Sequence, residues 1–350
     1  MQQVIQQFSE TIRKAAAERT QLRIRGSGSK DFYGLALIGD VLDTRPLSGI
    51  VDYEPTELVI TARAGTPLRT IEQALAARGQ MLAFEPPYFG PDATLGGCIA
   101  SGFSGPRRAA AGSARDFVLG VRIVNGLGED LHFGGQVMKN VAGYDLSRVL
   151  ASSFGTLGLI AEVSLKVLPM PAQELTARLE LDEAEAITAM NKWAAKPLPV
   201  SATCHVDGLL HVRLSGAAPA VAAAHKKLGG EVVEHGTQLW ESIREQTHPA
   251  FANAPARWRF SVKSTSQPLG LGKQIMEWNG SQRWIAEDLD PSQAFALAHK
   301  AQGHATLFRG GNKRNGIQQF SAGLLAVHKK LKRAFDPHGI LGPGRIHADF

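Results

Sequence analysis

The segment from Ala93 to Gly105 carries a small residue at nearly every position, and no other feature of the sequence restricts the fold as strongly. Such a run is poorly suited to a hydrophobic core, but it suits a backbone that must approach a large flat ligand along its whole length. Thr94 and Ser101 supply hydroxyl groups for a phosphate or a ribose. A flexible linker is the alternative, although the interleaved Leu95 and Ile99 indicate a packed segment. We therefore predict a ligand-binding segment here.

A second glycine-rich loop, Arg25-Gly26-Ser27-Gly28-Ser29-Lys30, directly follows a predicted strand. Glycine and serine let consecutive backbone N–H groups converge on one anion, because no large side chain blocks close approach. Asp31 stands where a Rossmann-type fingerprint requires its third glycine, and no helix is predicted directly after the loop. The loop is therefore predicted to bind an anion outside a Rossmann fold, with an ordinary surface turn as the alternative.

A third stretch, Lys139-Asn140-Val141-Ala142-Gly143-Tyr144-Asp145-Leu146, precedes the run Phe154-Gly155-Thr156-Leu157-Gly158-Leu159-Ile160. The glycines of this run lie at the start of a predicted strand rather than in a hairpin. Glycine in such a place often marks close approach of a ligand to the backbone. The three stretches together predict one extended ligand site.

Length and composition limit the class of protein. A chain of 350 residues exceeds what one hydrophobic core usually fills, so two packed lobes are expected. The two cysteines, Cys98 and Cys204, are too few for a disulfide framework or a four-thiolate iron–sulfur cluster. We interpret Cys98 as a small buried residue rather than a nucleophile. The sequence shows no apolar run of about 20 residues and no secretory h-region, so a cytoplasmic protein is expected.

The formal net charge of +6 is dispersed along the chain apart from one dense run near the C-terminus. That run lies in a predicted helix and consists of Lys329, Lys330, Lys332 and Arg333. It is either a solvated helix face or a ridge that docks an acidic sister subunit; nucleic-acid binding is not predicted. The apolar stripe of the same helix is predicted to be buried, and it comprises Ile317, Phe320, Leu324, Val327, Leu331 and Phe335.

Hydrophobic periodicity predicts an α+β fold. Strands are predicted at Leu22 to Arg25, Leu35 to Ile38, Gly49 to Tyr53, Leu58 to Ala64, Val118 to Val124, Asp130 to Phe133 and Ile160 to Val167. Thr66 is the predicted N-cap of a helix that ends at Gly79. Beyond Pro171, the order strand-helix-strand-strand-helix-strand predicts a ferredoxin-like cap whose sheet continues through a hairpin at Asn279-Gly280. The predicted domains are residues 1–171, a cap at 172–310, and a C-terminal helix and tail at 311–350 that return to the first domain.

The three stretches, in this order, resemble the FAD-binding domain of the vanillyl-alcohol-oxidase and p-cresol-methylhydroxylase family. The resemblance returns near the C-terminus in Phe335-Asp336-Pro337 and Gly342-Pro343-Gly344. In that family the first glycine loop and the Thr-x-Gly-Gly segment hold the pyrophosphate, and the Gly-x-Leu-Gly run backs the adenine end. The pair Pro86-Pro87, the stretch from Lys139 to Asp145 and the short cap resemble the glycolate oxidase branch of the family.

The resemblance implies a two-part FAD-binding domain plus a small ferredoxin-like cap. It implies an FAD-dependent oxidoreductase: an FAD-binding subunit of a glycolate oxidase-type, 2-hydroxy-acid complex that takes part in electron transfer from the substrate. The implied partners are a catalytic flavoprotein sister subunit and an iron–sulfur subunit, and membrane contact is expected only through them. The FAD is expected to be non-covalent because the first loop has no histidine. The implied FAD-binding residues are Arg25, Gly26, Ser27, Gly28, Ser29, Lys30, Thr94, Leu95, Gly96, Gly97, Ser101, Gly102, Gly112, Ser113, Gly155, Gly158 and Ile160.

One departure from the family pattern lies late in the cap. Catalytic 2-hydroxy-acid dehydrogenases that resemble this chain carry a His-x-Gly-Asp-Gly-Asn-x-His stretch that binds a metal and the substrate. The comparable place here runs from Gly303 to Gly311 and keeps only His304, so no metal site is predicted and catalytic residues stay unassigned. This favours a subunit of a complex over a self-sufficient FAD dehydrogenase. The glycine-rich loops in turn argue against a structural subunit that binds no flavin.

Overall fold

The computed structural model describes residues 2–135 and 145–350, so residues 139–144 of the third predicted stretch lie outside the described part. The helices are α1 (Gln2–Glu18), α2 (Leu68–Ala76), α3 (Leu95–Ser101), α4 (Arg108–Ala111), α5 (Ala114–Phe117), α6 (Glu183–Ala194), α7 (Ala218–Leu228), α8 (Gly236–Arg244), α9 (Pro291–Lys300) and α10 (Ala322–Phe335). The strands are β1 (Leu22–Arg25), β2 (Asp40–Asp43), β3 (Ile50–Glu54), β4 (Val59–Arg63), β5 (Gln80–Met81), β6 (Val118–Val124), β7 (Asp130–Gly134), β8 (Leu159–Lys166), β9 (Leu168–Pro169), β10 (Gln173–Glu180), β11 (Val200–Val206), β12 (Leu209–Gly216), β13 (Glu231–Val232), β14 (Ala256–Ser261), β15 (Gln274–Glu277), β16 (Gln282–Ile285) and β17 (His304–Gly310).

The chain divides into two compact units. The first unit comprises Met1–Phe103, Ser113–Met170 and Gln319–Phe350, and the second comprises Ser104–Gly112 and Pro171–Gln318. The second unit thus includes the short segment around α4, which the sequence-based division assigned to the first domain. It also includes residues 311–318, which that division assigned to the C-terminal helix and tail.

The first unit is built on a five-stranded antiparallel sheet in the order β3-β4-β8-β6-β7. The predicted alternation along β8 is confirmed, since Ala161, Val163 and Leu165 are almost completely buried. A separate pair of parallel strands, β1 and β2, lies beside the C-terminal tail, because Leu22 forms a parallel bridge with Leu341. The residues of this region form one core cluster with the inner face of α1. That core supports the end of β1, from which the first glycine loop departs.

The second unit is the cap, and its eight strands form one sheet in the order β13-β10-β12-β11-β15-β16-β14-β17. The first four strands have the 4-1-3-2 order of a ferredoxin-like fold, with α6 and α7 as the two helices. Helix α6 begins at Asp182, whose side chain accepts a hydrogen bond from the Glu185 N–H at 2.8 Å, as an N-cap does. The hairpin of β15 and β16 extends the same sheet, which confirms the predicted continuation at Asn279-Gly280.

Two local predictions in the first unit are wrong. Leu35 to Ile38 is not a strand: the strand forms later, at β2, and Leu37 and Ile38 are 44% and 43% exposed. Thr66 does not cap α2 either, because its hydroxyl group is bonded to the backbone of Gly49 at 2.9 Å and 3.2 Å. The helix instead starts after Pro67, without a side-chain cap.

The C-terminal helix α10 also differs from its prediction. It begins at Ala322, and the predicted buried stripe is open to solvent at Leu324 and Val327, which are 46% and 61% exposed. Of the four predicted ridge cations, Lys332 is buried and Lys329 forms an ion pair with Asp349 at 2.8 Å. The inward face of α10 holds Phe335, as predicted, but also Lys332, which the prediction placed on the charged outer ridge.

Candidate functional site

The first glycine loop leaves the end of β1 and turns back on itself. Gly28 has φ of +80°, a left-handed conformation that glycine adopts without strain. The Lys30 ammonium is buried and donates hydrogen bonds to the Tyr88 carbonyl at 2.9 Å and to the Ser29 hydroxyl at 3.0 Å. Arg25 is held by Asp31, with 2.7 Å between Nε and Oδ2. These bonds give the loop one defined shape.

The second segment forms α3, whose small residues let three pieces of chain approach closely. The Thr94 hydroxyl oxygen accepts a hydrogen bond from the Gly97 N–H at 3.3 Å and begins the helix. A Cβ at Gly26 would lie 2.4 Å from that oxygen, so the first loop touches the second segment. A Cβ at Gly96 would lie 2.7 Å from the Ala64 Cβ, so Gly96 packs against the strand end. A Cβ at Gly97 would lie 3.2 Å from the Thr94 hydroxyl oxygen, and this glycine faces the cleft described next.

These segments line one cleft of about 880 Å³, solvent at its mouth included. Thirteen of the predicted residues lie in its wall, so the structure brings the loops together as one surface: Arg25, Gly26, Ser27, Gly28, Ser29, Lys30, Thr94, Gly96, Gly97, Ser101, Gly155, Gly158 and Ile160. Every lining residue belongs to the first unit.

Four predicted residues lie outside the lining of this cleft. Leu95 is buried in the core, and Gly102 closes α3 in the left-handed region with φ of +65°. Gly112 belongs to the second unit. Ser113 precedes α5, where its hydroxyl group donates to Asp116 at 2.7 Å. Leu95 therefore serves the core, and the small residues at the other three positions serve the backbone rather than the cleft wall.

Sequence reasoning missed a further set of lining residues. They come from β1 and the segment after it, from Thr44 and Ala64 at strand ends, and from the C-terminal tail: Arg23, Ile24, Asp31, Ala36, Leu37, Ile38, Thr44, Ala64, Ala100, Phe154, Gly342 and Arg345. The Gly-Pro-Gly of the tail was a signal for Gly342. The exposed Leu37 and Ile38 gave no sequence signal distinct from that of a strand.

The cleft is positively charged and keeps hydrogen-bond donors for a ligand. Arg23, Arg25, Lys30 and Arg345 line it together with a single carboxylate, Asp31. The backbone N–H groups of Ser27 and Gly28 have no protein acceptor in the described part of the chain. Donors, cations and glycine-lined walls fit a long ligand with an anionic centre.

No side chain suited to covalent flavin attachment appears in the wall, since none of the described lining residues is His, Cys or Tyr. Cys98 lies on the buried face of α3, and burial raises the pKa of its thiol to about 12, so it stays a neutral packing group as predicted. Within residues 2–135 and 145–350, no group of three or more His, Cys, Asp or Glu side chains is placed to hold a metal ion. In the same residues, no helix is long and apolar enough to cross a membrane.

Comparison with known proteins gives matches over nearly the whole chain. Residues 3–134 match the family described as FAD binding domain, and residues 310–346 match FAD linked oxidases, C-terminal domain. The chain is 46% identical to glycolate oxidase subunit GlcE of Escherichia coli over 345 residues, 98% of this chain and 97% of that protein. It is 30% identical to glycolate oxidase subunit GlcD of Bacillus subtilis over 56% of this chain and 42% of that protein. Among solved structures, alkyldihydroxyacetonephosphate synthase superposes with a TM-score of 0.64 at 15% identity, covering 95% of this chain and 73% of that one.

Proposed function

Because the chain belongs to the FAD-linked oxidases, in the family of glycolate oxidase subunit GlcE, we propose that it carries FAD within a glycolate oxidase-type complex and takes part in electron transfer from the substrate. The observation that carries this proposal is the cleft, whose wall joins three glycine-rich segments and the C-terminal tail. The chain is thus an FAD-dependent oxidoreductase subunit. The shared fold with alkyldihydroxyacetonephosphate synthase supports the architecture alone.

The cleft residues suit the different parts of FAD. Arg23, the backbone of Ser27 and Gly28, and the Thr94 region supply donors and positive charge for the pyrophosphate. The apolar wall at Leu37 and Ile38 offers surface to a ring system. When bound, FAD supplies an acceptor for two electrons, while the protein contributes binding, orientation and electrostatics. The 17 residues predicted from the sequence stay a proposal as an FAD site.

The FAD is proposed to be dissociable. The described cleft wall offers no His, Cys or Tyr for a covalent bond to the flavin, and its polar contacts are hydrogen bonds and charges. Purified chain should therefore show the two visible absorption bands of a flavin, and acid should release the flavin intact into the supernatant. Flavin that stays with the acid precipitate would contradict non-covalent binding, and a colourless chain that takes up no FAD would contradict the proposed function.

The partners and the substrate class follow from the relatives. The names GlcE and GlcD belong to glycolate oxidase subunits, so the complex has more than one kind of subunit, and we assign a GlcD-type catalytic flavoprotein as the sister chain. An iron–sulfur partner is included because Cys98 and Cys204 are the only cysteines of this chain and both are buried. The proposed substrate of the complex is glycolate or a similar 2-hydroxy acid. The complex is placed in the cytoplasm or at the inner membrane through its partners.

A reconstitution experiment tests whether this chain needs its partner subunits for turnover. The isolated chain, loaded with FAD, should oxidise glycolate or D-lactate poorly with a dye acceptor, and addition of a GlcD-type subunit and the iron–sulfur partner should restore turnover. The control uses the same partners without this chain. Rapid turnover by the isolated chain, unchanged by a chelator, would instead identify a self-sufficient dehydrogenase.

A further inference from the structure

One buried lysine joins the segments that form two walls of the cleft. Lys332 lies on α10 but is only 5% exposed. Its ammonium donates three hydrogen bonds: to the Thr156 carbonyl at 2.7 Å, to Oδ2 of Asp336 at 2.7 Å, and to the Leu341 carbonyl at 2.6 Å. A lysine ammonium has three donors, and all three are used here.

Each carbonyl acceptor is the neighbour of a residue in the cleft wall. Thr156 directly follows Gly155 and lies two residues before Gly158, and both glycines line the cleft. Leu341 directly precedes Gly342, which also lines the cleft, and Arg345 follows in the same wall. The positions of the two walls are therefore set by bonds to the same nitrogen atom.

Asp336 completes the arrangement on the tail side. It is 1% exposed, and its carboxylate accepts hydrogen bonds from the backbone N–H groups of Leu341 at 2.8 Å and Ile340 at 3.2 Å. The tail then continues along β1, with the Leu22 N–H donating to the Ile340 carbonyl at 2.7 Å and the Gly342 N–H donating to the Leu22 carbonyl at 2.7 Å. The next residue of β1, Arg23, is again a cleft residue.

The energetics of the buried Lys332–Asp336 ion pair indicate that it serves the geometry of the cleft rather than the stability of the fold. Burial removes the favourable hydration of both ions, and burial lowers the pKa of Lys332 despite the nearby carboxylate. Apolar residues of similar volume often stabilise a core as well as a buried ion pair does. Apolar residues, however, form no directional bonds. The three hydrogen bonds of the Lys332 ammonium, at 2.6–2.7 Å, fix three oxygen atoms relative to one another.

We propose that Lys332 is a positioning residue for FAD: it holds the Gly155–Gly158 wall and the tail wall with Gly342 and Arg345 at the separation that the dinucleotide requires. This inference rests on the proposed FAD cleft and adds a residue that does not touch the ligand. It predicts that FAD affinity depends on the buried face of α10.

The test compares two lysines of the same helix. Lys332→Met removes the buried ammonium, and Lys330→Met makes the same substitution at an exposed position. FAD is titrated into each apo chain and the dissociation constant is read from quenching of flavin fluorescence. Lys332→Met should weaken FAD binding by about 10-fold or more, and Lys330→Met should stay within about twofold of the wild type.

A second variant separates positioning from stability. Lys332→Met leaves Asp336 buried without its partner, so it will also destabilise the chain or prevent folding. The double variant Lys332→Met/Asp336→Asn removes both charges while the amide oxygen can still accept from the Leu341 N–H, so its unfolding midpoint should lie above that of the single variant while FAD binding stays about 10-fold weaker. Recovery of wild-type affinity in the double variant, or unchanged affinity in the single one, would overturn the positioning role. Failure of the wild-type chain itself to bind FAD would instead refute the proposed function.

Discussion

The first unit and the cap differ in what surrounds their polar groups. In the first unit, glycine-rich loops and the cationic side chains of Arg25, Lys30 and Arg345 line an open cleft. In the cap, large polar side chains bond to one another: the Trp240 indole N–H donates to Thr176 at 2.8 Å, and the Trp284 indole N–H donates to Glu277 at 2.6 Å. The first unit is thus built to receive a molecule, whereas these cap groups already have their partners.

The family matches follow the same division. The two matching profiles cover residues 3–134 and 310–346, and neither covers residues 135–309, which include most of the cap. Flavin binding is therefore the property that this chain shares with FAD-linked oxidases in general, while the cap is where its role within a complex is to be sought. Four experiments test this contrast.

The largest expected effect comes from the cap core. Trp258 on β14 is 1% exposed and packs edge-on against Phe295, with ring centroids 5.9 Å apart. Trp258→Ala should reduce the free energy of unfolding by about 3–5 kcal/mol, because it leaves a large cavity. FAD affinity of the folded variant, measured at low temperature, should stay within about twofold of the wild type. A large loss of affinity would contradict a flavin site made by the first unit alone.

The second effect is a dependence of stability on pH that originates in the cap. Burial, reinforced by His248, Arg178 and His205, lowers the pKa of His211 to about 4. Between pH 6.5 and 4, the His211 side chain binds a proton in the unfolded chain but not in the folded chain. The stability that is present above pH 6.5 is therefore lost as the pH falls through this range. The full loss is about 3 kcal/mol, from the difference between the ordinary pKa of 6.5 and about 4. The free energy of unfolding, measured with denaturant from pH 7 to pH 4, should decline less steeply for His211→Leu than for the wild type. Parallel declines in the two proteins would refute the assignment of this pH dependence to His211.

The third effect distinguishes two adjacent glycines of the first unit. Gly97→Val places a branched side chain in the cleft and should weaken FAD binding by on the order of 100-fold while the chain still folds. Gly96→Val should instead impair folding, because a Cβ there would meet Ala64 at 2.7 Å. Gly135→Val is the matched control, since no atom lies within 4 Å of a Cβ at that position. Equal FAD affinity in the Gly97 and Gly135 variants would show that α3 is not part of the FAD site.

The smallest effect concerns a single cation of the cleft. Arg23→Met should weaken FAD binding by about 10-fold, the value of one charge-assisted hydrogen bond to a phosphate, with little change in unfolding. Arg178→Met serves as the control in the cap, where the arginine forms an exposed pair with Glu231 at 2.7 Å. The difference between the two variants should shrink with added salt. An Arg23 variant with wild-type affinity would show that this guanidinium group does not contact the FAD.

The sequence predicted the parts of the fold in which local pattern and burial agree. Hydrophobic patterning identified the strand β8, and the order of strands and helices beyond Pro171 identified the ferredoxin-like part of the cap. The prediction failed where a tertiary contact overrode the local signal: Thr66 bonds to Gly49 instead of capping α2, and Ala36 to Ile38 line a cleft instead of forming a strand.

The same limit applies to the site. The glycine loops were visible because a backbone that lines a cleft needs small residues in one continuous run. Arg345 was not, because it becomes a neighbour of the loops only through the pairing of the tail with β1. Lys332 was read as a surface charge for a similar reason: helical spacing gives the period of a face but not which face turns inward.

The order of segments along the chain also governs when the cleft is completed during protein synthesis. The ribosome makes the glycine loops early, then the whole cap, and only afterwards residues 319–350, which contribute Gly342 and Arg345 to the cleft wall. Domains generally fold in the order in which they emerge, yet this first unit lacks one wall until translation has passed the cap. We therefore expect the nascent chain to acquire its flavin after the tail has been released, with the cap already folded.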